Sequence, residues 1–375
     1  MAVQTVYEGL FSSDFRNAQT SDGVLISTLW KEADTLQADY NRRRQTTASF
    51  MGFVTTKPDA DIVTQVRAKW MRKSEHGTPD TRLRVQYDLA VQTGLEGFQS
   101  AYGYTELAQL IALDSGTIRG AIDAIFEENA RFRYVNMWKQ FFRSGLRRVV
   151  DIVTKATIDV TPFYNGDSAV PPRVGGKVFT APHNHFMRVA TNHTVVSADL
   201  TAGFKNVTEH GWDREVYCVG SETTINDKVL PIGAPDIATI QAINPIVGSD
   251  AVNANQPGAL VNIAVRVGDI DLLVVATFKG KYRIATSPDI PDGYLAFFSH
   301  EGPLSPNNSL QIREPSDPQL QGVRRTPNPQ VPFVEVYYDD FVGWGVRQRG
   351  NGVAMQVDWT GGSAYQDPTW PEDDF

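Results

Sequence analysis

His183 and His185, two positions apart in His183-Asn184-His185, are the side chains whose type and spacing most directly suggest chemistry. In an extended segment alternate side chains share a face, so both imidazoles could chelate one zinc ion. A third and a fourth ligand are missing nearby, and only His193 and His210 lie within reach in sequence. The preferred reading is therefore hydrogen-bonded structural histidines, with no metal and no cofactor.

Other chemistries find less support. No Gly-x-Ser-x-Gly elbow is present. Cys218 lies in the apolar run Val216-Tyr217-Cys218-Val219, which suits a small buried hydrophobe better than an activated thiolate. Gly343-Trp344-Gly345 begins like a glycine fingerprint but continues Val346-Arg347-Gln348-Arg349-Gly350, without the helix opening a phosphate site requires. Asp339-Asp340 is expected in a turn and Glu372-Asp373-Asp374 in a tail, with no sign of the burial that would split their pKa values. No catalytic residue is assigned, and the chain reads as not an enzyme.

Composition narrows the class further. The 375 residues, 41% of them hydrophobic, can bury a sizeable core and allow two or three folded units. A formal net charge of -8 is the wrong balance for condensing nucleic acid by counterion release, so DNA contact must be local. The single cysteine precludes an internal disulfide and no basic-then-apolar leader precedes Met1-Ala2-Val3, which fits assembly in a reducing cytoplasm. No apolar stretch reaches the roughly 20 residues of a membrane span.

The elements that would position functional residues follow from periodicity. Residues 1–40 are weakly periodic and read as an arm that packs on another surface. Between residues 81 and 91, Leu83, Val85, Tyr87, Leu89 and Val91 alternate with Arg82, Arg84, Gln86 and Asp88, the period of a strand with one apolar face. Upstream, Val66, Ala68 and Trp70 alternate with Arg67 and Lys69, and residues 74–79 supply a turn. The expectation is a long projecting hairpin whose apolar face a neighbouring subunit covers. Across residues 62–84 six basic side chains, Arg67, Lys69, Arg72, Lys73, Arg82 and Arg84, face two acidic ones. With Trp70 they are the candidate subunit-interface residues, docking on an acidic patch of the adjacent copy; a solvated strand face is the alternative.

From Asp114-Ser115-Gly116 to about Val150, Ile118, Ile122, Ile125, Phe132, Val135, Phe142, Leu146 and Val149 recur at helical spacing. This predicts a helix of some 30 residues, about 45 Å long, breakable at Ser144-Gly145. Residues 131–148 carry six basic and no acidic side chains, read as a solvated face with cations near a helix C-terminus rather than as a DNA-contact surface. Beyond Thr154 the text turns β-rich. Strands are expected at Val178-Phe179, 183–188, 216–219, 263–267, 272–275 and within 334–357, and Ser197-Ala198-Asp199 is expected to cap a helix with Leu200, Phe204 and Val207 on one face.

The order of these parts resembles the major capsid protein of tailed bacteriophages. Tyr87-Asp88-Leu89-Ala90 through Gly94-Leu95-Glu96-Gly97-Phe98-Gln99-Ser100 and Tyr104 looks like the return of that family's extended loop to its peripheral domain. His183-Asn184-His185-Phe186, Ala198-Asp199-Leu200 and Glu209-His210-Gly211-Trp212 resemble its axial-domain strand and helix. Leu310-Gln311-Ile312-Arg313-Glu314, Leu320-Gln321-Gly322-Val323, the 343–349 run and Val353-Ala354-Met355-Gln356-Val357 look like its closing strands.

The resemblance implies an α+β, HK97-like capsid fold. Its parts would be an N-terminal arm (1–40), an extended β-hairpin loop (41–93), a peripheral domain with a long spine helix (94–175), a β-rich axial domain (176–325), return strands of the peripheral domain (326–360) and an acidic C-terminal tail (361–375). It implies a homo-oligomer of pentamers and hexamers in an icosahedral shell, assembled in the host cytoplasm and found in the virion capsid. Its partners would be a separate scaffold protein, a portal and packaged double-stranded DNA held by nonspecific lumenal contact, with a decoration protein left open and no membrane involved. Some members cross-link lysine to asparagine; Lys69 or Lys73 with Asn351 could do so here, but no local motif fixes either, and noncovalent closure is preferred. The alternatives are an encapsulin-like nanocompartment shell and a soluble carbohydrate- or host-binding β protein.

Overall fold

The computed structural model describes residues 50–55, 67–68, 85–86, 94–102, 131–174, 177–239, 264–267, 270–315, 322–327, 334–362 and 364–370. The expected arm at 1–40, the helical pattern before residue 131, the tail beyond residue 370 and the interface candidates Lys69, Trp70, Arg72, Lys73, Arg82 and Arg84 lie outside them.

The strand Val216–Gly220 is buried at every position. An uninterrupted apolar run of this kind is stable as a strand when both sheet faces are covered, and here they are. Tyr217 and Val219 point into one apolar cluster with Tyr134, Trp138, Phe141 and Phe142 of a helix at 131–142. Cys218 and Val216 point into the other, with Leu200, Phe204 and Val207 of the helix Ser197–Thr208. The sheet between them has eight strands, ordered Ala264–Val267, Ile270–Phe278, Tyr282–Thr286, Val216–Gly220, Tyr294–Ser299, Val353–Gln356 and Phe186–Arg188, with Ile237–Thr239 also paired to Ile270–Phe278. The result is a helix, sheet, helix sandwich whose two cores are divided by the strand period of two.

Packing on each face is aromatic. Trp138 and Phe141 meet Phe298 edge-on at centroid distances of 6.2 and 5.9 Å, and Phe142 meets Tyr294 at 5.9 Å. On the other face Phe204 stacks on Tyr282 at 4.3 Å and meets Phe297 edge-on at 5.1 Å. Gly203 permits that approach, since a Cβ there would come within 2.7 Å of the Phe297 ring.

A second sheet is organised by one long strand, Val334–Val346. It pairs antiparallel with Gly322–Pro327, Glu96–Tyr102 and Leu310–Arg313, and the last of these pairs in parallel with Gly52–Thr55. Its 13 residues extend to about 43 Å. Two small ribbons complete the described strands. Arg67–Ala68 pairs antiparallel with Val85–Gln86, and Arg147–Val150 with Thr157–Val160. No helix among the described residues is long and apolar enough to cross a membrane.

Several expectations are corrected. The helical pattern does not run to Val150: the helix ends at residue 142 and Arg147–Val150 is a strand. Ser144-Gly145 breaks it, with the Ser144 amide taken by Asp367 Oδ1 at 2.9 Å. Leu146 and Val149 fit a helical spacing by coincidence, and in the ribbon Val149 faces inward while Val150 is exposed. Ser197 is the first residue of its helix rather than the cap; the Val196 amide is held by Asp199 Oδ2 at 3.0 Å. Val178-Phe179 forms no strand, and Asp339-Asp340 lies within the long strand instead of a turn. Gly343-Trp344-Gly345 belongs to the same strand, which rules out a phosphate loop there.

Strand pairing also joins segments across the linear divisions of the sequence. Val353–Gln356 lies in the eight-stranded sheet, whereas Leu310–Arg313 and Gly322–Pro327 pair with the long strand.

Candidate functional site

The hairpin expected to carry subunit docking is visible at one point. Arg67 pairs with Gln86 and Ala68 with Val85 in antiparallel register, and the rest of the two runs lies outside the described residues.

The basic run at 131–148 is largely paired. Arg133 bonds Glu314 at 2.6 Å with both side chains buried. Arg147 pairs with Glu96, Arg148 with Asp159 at 2.9 Å, and Arg131 lies 3.6 Å from Asp289. Four of the six cations thus meet carboxylates, with Arg133 and Arg147 largely buried and Arg131 and Arg148 more than half exposed.

The histidines converge. His183 and His185 lie just before the edge strand Phe186–Arg188, and His210 lies just beyond the end of helix Ser197–Thr208, where Gly211 at φ 82° turns the chain away. The three Nε2 atoms form a triangle with every side 3.0 Å. His185 and His210 are buried and His183 is half-buried. Phe179 stacks on His210 at 4.4 Å, and Tyr164 lies 5.5 to 5.9 Å from all three rings. Burial pushes the His185 imidazole down to about 3, and burial also lowers His183. Among the described residues this is the group able to hold a metal ion. His193 stays apart, with Nδ1 2.7 Å from Asp358. Of the two further candidates the sequence offered, His210 joins the pair although 25 residues separate it from His185, and its position just past a predictable helix end is what distinguishes it from His193.

Two other candidates are closed. Cys218 is buried in the apolar core, where desolvation pushes its thiol up and away from reactivity. Asn351, also fully buried, accepts the Ser299 amide at 2.8 Å and donates to the Ser299 and Asn307 carbonyls at 3.0 and 2.8 Å. Its carboxamide is committed inside the fold, which argues against a cross-link to a lysine of another copy.

Comparison with family models finds no match. Comparison with curated proteins finds none either. Solved structures do match. A chain of Mycobacterium phage Patience is 24% identical, with 93% of this chain and 92% of that one covered and a TM-score of 0.58. A chain of the cyanophage A-1(L) capsid asymmetric unit is 12% identical over 84% of this chain and 91% of that one, with a TM-score of 0.46. A chain of the capsid of a native GTA particle is 15% identical over the same shares, with a TM-score of 0.45. The likeness to the Patience chain speaks for the fold alone, a mixture of helix and sheet shared over nearly the whole of both chains.

Proposed function

We propose that this protein is a major capsid protein, a structural subunit whose copies form the pentamers and hexamers of an icosahedral shell around double-stranded DNA. The observation that carries the reading is the fold shared with the phage Patience chain over nearly the whole of both. The segments would then serve as the resemblance implies, with the arm (1–40) reaching along the shell, the hairpin (41–93) lying over a neighbour, the spine helix (within 94–175) and return strands (326–360) forming the periphery, and the axial domain (176–325) gathering copies around each axis. Docking of the hairpin falls to Arg67, Lys69, Trp70, Arg72, Lys73, Arg82 and Arg84.

Physical chemistry supports the division of labour. A subunit of net charge -8 repels DNA on average, which suits a genome pumped into a preformed shell better than one that nucleates assembly. Closure makes each subunit depend on several others at once, so individual contacts need not be strong. The ribbon Arg147–Val150 with Thr157–Val160 leaves Leu146, Val150 and Val153 more than half exposed, an apolar edge that a second copy could cover.

Negative-stain microscopy of the expressed protein, alone and with its scaffold protein, tests the reading. Closed shells are expected in at least one condition, and persistent monomers in both overturn it. Shells that hold a protein cargo and exclude DNA would replace the viral reading with a nanocompartment.

A further inference from the structure

We propose that His183, His185 and His210 form a binding site for one transition-metal dication of the zinc type. The argument begins with what three imidazoles can do without one. An imidazole Nε2 either carries a proton and donates or is bare and accepts; it cannot do both. A hydrogen bond needs one nitrogen of each kind. Three mutually adjacent nitrogens cannot all be paired as opposites, so at least one 3.0 Å side of the triangle sets like against like. Adding protons worsens the conflict in a buried, largely aromatic surrounding that disfavours imidazolium. A cation at the apex accepts all three lone pairs and removes it.

The geometry suits such an ion. With metal–nitrogen bonds of about 2.0–2.1 Å, an ion bound to a triangle of this size sits about 1.1 Å out of its plane, and relaxation of a few tenths of an ångström opens the angles toward tetrahedral. His185 is already in the required tautomer. Its Nδ1 lies 2.6 Å from the Gly352 carbonyl, an acceptor only, so Nδ1 carries the proton and Nε2 is bare. Three imidazoles without thiolate or carboxylate suit zinc, copper, nickel or cobalt rather than magnesium or calcium. His183, half-buried where His185 and His210 are buried, is the most solvent-exposed of the three.

Nearby charge is balanced. Glu209 adjoins His210 and is paired with Lys177, while the buried Arg349 close to His185 is neutralised by Asp167 at 2.8 Å. A bound ion would pin the end of helix Ser197–Thr208 to the edge strand Phe186–Arg188 and, through Gly352, to the approach of strand Val353–Gln356. It would act as a staple inside one subunit.

The test uses the untagged full-length chain, stripped with chelator, reloaded with zinc or cobalt chloride and dialysed. One ion per chain is expected, with the visible absorption of cobalt bound to nitrogen ligands. His183→Gln, which alters the half-buried ligand, is expected to weaken binding by more than the roughly 10–100-fold that an outer-shell change costs. His193→Gln, outside the triangle, is expected to bind as the parent does. The proposal fails if the parent chain retains no ion and shows no cobalt absorption, or if His183→Gln binds as tightly as the parent. Shell formation is scored separately, so loss of metal binding leaves the capsid reading standing.

Discussion

Asp151 is held by four donors. Its carboxylate accepts the amides of Leu95, Val153 and Thr154 at 2.9, 2.9 and 2.7 Å and the Arg313 guanidinium at 2.7 Å. Burial alone would raise this carboxyl, but the Thr154 and Leu95 hydrogen bonds and the Arg313 charge together outweigh it and hold the group below the usual carboxylate range. Removing its charge takes one carboxylate from the buried Arg313 guanidinium, so Asp151→Asn is expected to lower stability, by up to about 3–5 kcal/mol, in denaturant unfolding of the unassembled chain. The pH dependence has a definite sign. A carboxyl with a depressed folded pKa contributes fully above its unfolded value of about 3.9, and that contribution disappears as pH falls through the folded value. The acid limb of the stability curve should therefore flatten in Asp151→Asn. Nothing in the sequence pointed to Asp151, because its donors come from positions as distant as Leu95 and Arg313. The histidine pair was legible, since a spacing of two is local; the triangle was not, since it needs a helix to bring the third ring back.

Where helix meets sheet, Gly203 allows close contact. Gly203→Ala would drive a methyl group into the Phe297 ring, an overpacking change expected to cost about 1–3 kcal/mol by the same measurement. A change within about 0.5 kcal/mol would show that the helix can shift away from the sheet. The strands at 216–220, 270–278 and 353–356 were legible from apolar runs and alternation, because their burial is set by period alone. The end of the helix was less so. Leu146 and Val149 satisfy a helical spacing and also sit beside a β-branched run, and the pairing that decides the matter is supplied by residues 157–160, which no local window contains.

Assembly is a property of many copies, and the docking residues are tested there. Arg82→Glu with Arg84→Glu is expected to give a folded chain that forms few shells by microscopy or sedimentation, because reversed charge repels the acidic patch assigned to the neighbour. Normal shells would remove that role from the hairpin. The class of fold was legible in the order of segments, whereas the way two sheets share the chain was not. That sharing has a consequence for synthesis. Gly52 pairs with Leu310, Tyr102 with Val336 and Phe186 with Ala354, so both sheets wait for the last tenth or so of the chain before they close. Such nonlocal pairing folds late. A product that stopped short of these late strands would carry open strand edges, a template for unwanted pairing with other chains.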